Sequence, residues 1–287
     1  MKLLLSTSAL LFSGTVALAD LTAQDVLNNW QSYYAAFGAT FQTAPHVITG
    51  DTTRLPNVEV KMKLAGTEAT YAFEWVDLQS HTDGSVEITF SKGGALVSQA
   101  NSGLATVESQ AIYDLSALVI HAEGTPEDIR FSYNAPMVMV RQTQSMPEGS
   151  LSMTITVENW QGETDSRHQG DTSIEETGSM TFGRTAAEMT FKPPSGAPVI
   201  VEYTDTGAQL DFDLSLNRVA IPSTPVEMLL FPEDSVLGAT FVTQSAILEG
   251  AQTSEAADTR FTYKQSGSTL SFAFAENALS YGITLDG

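Results

Sequence analysis

The 287-residue chain carries 34 Asp and Glu against 13 Lys and Arg, a formal charge of −21. That excess excludes stable contact with nucleic acid phosphates or anionic lipid headgroups and leaves a cationic or uncharged partner as the compatible kind. There is no cysteine, so neither a disulfide framework nor an acylated thiol contributes, and packing alone must hold the fold. A chain of this length buries roughly 75% of its unfolded surface, enough for one large β domain or two smaller ones.

The first residues, MKLLLSTSALLFSGTVALAD, combine Lys2, an apolar run from Leu3 to Phe12, and small residues at Ala17 and Ala19 just before Asp20. These are the three parts of a cleavable secretory leader. The run is shorter than the roughly 20 residues that span a bilayer, and no later segment reaches that length. Residues 1–19 are therefore expected to be removed on export to the periplasm, leaving no transmembrane helix.

The next stretch, LTAQDVLNNWQSYYAAFG, predicts a helix within residues 20–38. Thr22 and Asp25 have capping-box spacing. Val26, Leu27, Trp30, Tyr33, Tyr34 and Phe37 recur at intervals of three and four, and Gly38 can end the helix. Such a stripe is expected to pack on a sheet through Trp30 and Phe37. It carries too few basic residues for a membrane-surface helix.

From Ala39 the period becomes two. Val58, Val60, Met62 and Leu64 alternate with Glu59, Lys61 and Lys63, and Leu151, Met153, Ile155 and Val157 alternate with Ser152, Thr154 and Thr156. This predicts antiparallel strands with one dry and one wet face. Asp83-Gly84, Gly93-Gly94, Asn134-Ala135-Pro136, Gly196-Ala197-Pro198 and Ser266-Gly267-Ser268 read as turns.

Three phrases resemble one another: DIRFSYNAPMVMV from Asp128, VIVEYTDTGAQLDFDL from Val199 and TRFTYKQSGSTLSFAF from Thr259. Each reads as strand, turn, strand. Apolar spacing recurs in all three, whereas Asp128, Arg130, Glu202, Asp211, Asp213 and Arg260 do not recur in all of them. Repetition without shared polar chemistry points to architecture, a repeated β unit occupying residues 39–287. The segment from Trp160 to Gly178 is polar and reads as a long loop or hairpin tip.

Catalytic signatures are absent: no G-x-S-x-G, S-x-x-K, P-loop or H-E-x-x-H occurs. His46, His81, His121 and His168 are too far apart for a local zinc motif. Asp211, Asp213, Ser215 and Asn217 have the odd-position spacing of a calcium loop, but Leu216 stands where Gly must turn and Pro222 where a bidentate Glu is needed. The expectation is a strand with one wet face, with no metal, cofactor or catalytic residue assigned.

The leader followed directly by DLTAQDVLNNWQSYYAAFG, then alternating strands and the phrase GTPEDIRFSY, resembles an exported proteobacterial family known as domain of unknown function 2125 (DUF2125). The resemblance implies a periplasmic setting and carries no activity, cofactor or site residue. Members of that family are often longer, which fits an ending, LSYGITLDG, that reads as breaking off within a strand.

The expected fold is mainly β: long antiparallel strands in a curved or layered sheet built from repeated β units, with one N-terminal amphipathic helix. The expected role is a noncatalytic periplasmic envelope protein that binds or shields a hydrophobic small molecule such as a lipid chain. An outer-membrane barrel, suggested by strands of about ten residues, and an enzyme of convergent distant residues are the alternatives. The candidate ligand-binding residues are Tyr133, Met137, Tyr203, Phe212, Tyr263 and Phe272, taken to share one sheet face. A second layer of strands is the ordinary cover for such a face.

Cleavage between Ala19 and Asp20 is checked by intact mass of the exported protein, which should lack residues 1–19. An Ala19→Arg variant should accumulate unprocessed.

Overall fold

The computed structural model describes residues 20–64, 67–101, 106–146, 149–168, 173–217, 236–253, 258–275 and 278–286. The expected leader lies outside them. Helix α1 (Ala23–Ala36) begins at Thr22, whose hydroxyl accepts from the Asp25 N–H at 3.2 Å while the Asp25 carboxylate accepts from the Thr22 N–H at 3.0 Å. This is the capping box expected from the sequence. Gly38, at φ 66°, turns the chain out of the helix. No helix among the described residues is long and apolar enough to cross a membrane.

The other regular elements among the described residues are strands. β1 (Thr40–Gln42) and β2 (Val47–Thr49) lie end to end along β3 (Thr52–Leu64), which pairs with β4 (Thr67–Ser80). β5 (Val86–Phe90) and β6 (Gly94–Asn101) form one interrupted pass along β4, and β7 (Thr106–Asp114) and β8 (Val119–Thr125) form the return pass. β9 (Asp128–Met146), β10 (Gly149–His168), β11 (Ser173–Lys192) and β12 (Val199–Asn217) are uninterrupted strands of 19 or 20 residues. β13 (Val236–Thr243) with β14 (Ser245–Thr253), then β15 (Asp258–Gln265) with β16 (Gly267–Ala275), make two more interrupted passes, and β17 (Ala278–Asp286) pairs with β16. The 17 strands among the described residues belong to one antiparallel sheet. It is an up-and-down meander, and among the described residues no pairing joins β17 to β1, β2 or β3.

The three resembling phrases are therefore not hairpins. Asn134-Ala135-Pro136 lies inside β9, Gly207 lies inside β12, and Ser266 separates the collinear β15 and β16. Gly93 likewise interrupts a pass without reversing it. Asp83-Gly84 and Gly196-Ala197-Pro198 are true reversals. The polar segment from Trp160 to Gly178 is mostly paired strand, with β10 meeting β11 from Gln161↔Thr181 to His168↔Ile174.

What reads as turns is a crease crossing the sheet. The β3–β4 ladder skips Asn57 (φ 51°), the β9–β10 ladder skips Pro136 and Asn159 (φ 52°), and the β11–β12 ladder skips Gly183 and Gly207 (φ 64°). The line continues through Gln244 and Ser266. A residue that leaves the β conformation resets which face its successors occupy. Inward residues accordingly step by three across the crease: Leu55 to Val58, Ala135 to Val138, Asp205 to Ala208, each of them buried.

The sheet curls around the helix. α1 packs against both β4 and β11, which are five strand steps apart through β5, β8, β9 and β10. A flat sheet would separate them by about 24 Å, twice the width of a helix. Glycines on the inner face ease the curl, for rings from the adjacent strand lie across them: Tyr113 over Gly94, Phe212 over Gly178 and Phe261 over Gly250. The core sits where the curl is filled. Val26 and Leu27 are sealed against Leu55, Val76, Leu78 and Ile88, whereas Trp30, expected to carry the packing, is only partly buried. No second layer covers the sheet among the described residues, contrary to expectation; the helix fills one part of the trough and the inner face of β16 and β17 stays open.

Gly207→Ala should cost about 1–2 kcal/mol, because a Cβ at positive φ is strained and would also run into the Gln244 side chain. Gly238→Ala, where a Cβ meets nothing nearer than 4.0 Å, should be neutral or stabilising. Urea denaturation of both variants checks the crease.

Candidate functional site

Beyond Val26 and Leu27 the helix presents Trp30, Tyr33 and Tyr34 to the trough. Trp30 and Tyr34 both meet Phe41, at ring-centroid distances of 6.3 and 5.8 Å, and Tyr33 meets Phe37 at 5.0 Å. Facing them on the sheet, Tyr133 stacks on Trp160 at 6.0 Å and Trp160 meets Phe182 at 6.3 Å. Between the two groups of rings is a cavity of about 350 Å3, bounded at its far side by Met180 and Phe212. That volume falls within the range of small-ligand pockets.

The polar groups on its wall are few. Glu176, from β11, is the sole charged side chain lining it among the described residues. Burial pushes its carboxyl up to about 7, opposed in part by the hydroxyls of Ser166 and Tyr33 beside it. Burial also raises Tyr33 and Tyr34, with the Glu176 charge adding to both. Tyr133 is raised to about 12 by burial, with the Thr164 hydroxyl pulling the other way. Asn29 is 6% exposed, and its Nδ2 has no hydrogen-bond partner in the protein. An unpaired buried donor on a cavity wall is the kind of group that a ligand or an ordered water completes.

The six candidate residues divide. Tyr133 and Phe212 line the cavity. Phe272 lies further out on the same inner face, opposite Tyr281, and Leu270 lies opposite Ile283; all four are exposed. Tyr203 and Tyr263 are inward on the other side of the crease. Tyr203 is raised to about 12 by burial and by the neighbouring Asp205, and Tyr263 is exposed, its hydroxyl donating to Gln265 Oε1 at 3.5 Å. Met137 is on the opposite face, 48% exposed, because the crease at Pro136 shifts the alternation between it and Tyr133.

Asn29, Tyr33, Tyr34 and Glu176 were not among the sequence candidates. The helical stripe already pointed to the tyrosines. Glu176 is hidden in the polar segment, and only its place two residues from Ile174 on the inward alternation marks it. Asp211 and Asp213 alternate with the inward Leu210, Phe212 and Leu214 along β12. No group of three or more acidic or His residues is placed to hold a metal among the described residues. No family model, curated protein or solved structure matches the chain.

Glu176 makes stability depend on pH. Its folded pKa lies above the ordinary 4.5, so between pH 4.5 and about 7 the folded state keeps a proton that the unfolded chain has released. Stability is thus lost as pH rises through this window, on the order of 3 kcal/mol in all. Denaturation at stepped pH should show that fall, and Glu176→Gln should remove it.

Proposed function

We propose that the protein is a noncatalytic binding protein of the periplasm that holds the acyl chain of a lipid-like amphiphile along the trough that runs out from the cavity under α1. The observation that carries this reading is one continuous apolar face, from the ring-lined cavity past Phe212 to the open rows at Leu270, Phe272, Tyr281 and Ile283. Apolar rows of this size on a water-facing surface are characteristic of a binding site. The leader supports the compartment, and the acidic exterior disfavours adsorption to anionic membranes without hindering an uncharged chain.

Each methylene removed from water contributes about 0.8 kcal/mol, so affinity for a series of single-chain amphiphiles should weaken about ten-fold for every two carbons removed. Displacement of a fluorescent acyl probe measures this, and native mass spectrometry of detergent-free protein from the periplasm should reveal a retained chain. Phe212→Glu, which sets a charge at the cavity rim, should weaken the probe about ten-fold or more. Affinity indifferent to chain length, with bare polypeptide alone in the mass spectrum, would overturn the reading.

A further inference from the structure

We infer that the cavity beneath α1 recognises an alkylammonium head, with the Glu176 carboxylate as its counter-ion and the rings of Trp30, Tyr33, Tyr34 and Tyr133 as its walls. This rests on the reading of the trough as an amphiphile site and names which end of the ligand the cavity takes.

Four observations converge. Among the described residues the wall on which Glu176 stands includes no Lys, Arg or His, so the ionised carboxylate is partly buried without a cation, an arrangement relieved by neutralising the group or by admitting a partner. The rings around it supply what a desolvated ammonium needs, since the negative face of an aromatic ring attracts cations and quaternary ammonium groups are held in such cages. Asn29 Nδ2 offers an unused hydrogen-bond donor on the same wall, suited to an oxygen two carbons from the cation, as in an amino alcohol or its ester. The net charge of −21 raises the local concentration of cations over that of anions.

Competing heads fit less well. A carboxylate would set two like charges side by side in the cavity, and an alcohol would leave the Glu176 charge uncompensated. The titratable groups that face Glu176 are Tyr33 and Tyr34 from α1 and Tyr133 from β9, all shifted upward and hence neutral across the working pH range. Ser166 from β10 contributes a hydroxyl. Binding a cation must therefore draw the proton from Glu176 and from no other group on the wall, and affinity must rise with pH until that carboxyl is ionised in the free protein.

The test uses the full exported chain and three probes of one chain length, below their micellar concentrations: octyl(2-hydroxyethyl)dimethylammonium, octanol and octanoate. Calorimetry should show the cation binding about ten-fold or more tighter than either of the others at about pH 8.5. Its affinity should fall about 30-fold on lowering the pH to about 5.5, with proton release on binding, whereas octanol should be indifferent to pH. Glu176→Gln should abolish both the preference and the pH response while still binding octanol. Equal affinity for all three probes in the wild type, or a cation preference that survives Glu176→Gln, would overturn the ammonium site and leave the acyl-chain reading standing. Failure of all three to bind would overturn both.

Discussion

A strand of 19 or 20 residues runs for roughly 65 Å at about 3.3 Å per residue, several times the usual span, and no such strand can bend sharply and still keep its apolar side chains on one side by strict alternation. The crease resolves that conflict. By giving up one ladder position in each pass, at Asn57, Asn159 and Gly207 among others, the sheet changes direction and the inward set resumes on the same face. The part of the core and cavity wall beyond the crease, Val58, Val60 and Val138 among it, follows from this correction, since without it those side chains would turn to water.

Stability is unevenly placed along the meander. The fully buried side chains cluster where α1 meets β3, β4, β5, β8 and β9, so this region behaves as the anchor from which the remaining passes extend by cross-strand pairing. Ion pairs on the wet face, Arg130 with Asp165 at 2.8 Å and Arg184 with Glu158 at 2.9 Å, are exposed and contribute little beyond register. Cooperativity is therefore expected to weaken from the helix toward β17, as in arrays where each unit contacts only its neighbours. The cavity lies at the junction between the two regimes, with rigid core on one side and a thinner, single-layered sheet on the other.

The helix and the alternation were legible in the sequence because each is a local pattern: Thr22 with Asp25, apolar residues at three and four, then at two. The continuity of the long strands was not, for Asn134-Ala135-Pro136 and Ser266-Gly267-Ser268 have the same local chemistry as a reversal. Whether such a tripeptide turns the chain or only creases it depends on the partner strand, and that information is nonlocal. The cavity's polar groups escaped for a related reason. Thr164, Ser166 and Glu176 face inward by register while their hydropathy says outward, so composition alone assigned them to a loop. Met137 was misplaced onto the face of Tyr133 because counting by twos across Pro136 presumes an unbroken alternation.

The in-register crease also sets a rule for how such a protein can change over evolutionary time. Because the β3–β4, β9–β10 and β11–β12 ladders skip matching positions and the line continues through Gln244 and Ser266, a duplicated hairpin of matching length can be added to the meander beyond β12 without disturbing any side chain under the helix. Gain or loss of passes thus alters the length of the trough in increments of about 10 Å while the aromatic end beneath α1 stays constant. Descendants of one ancestral chain would then differ in the length of the apolar trough and agree in the rings that line its end beneath α1.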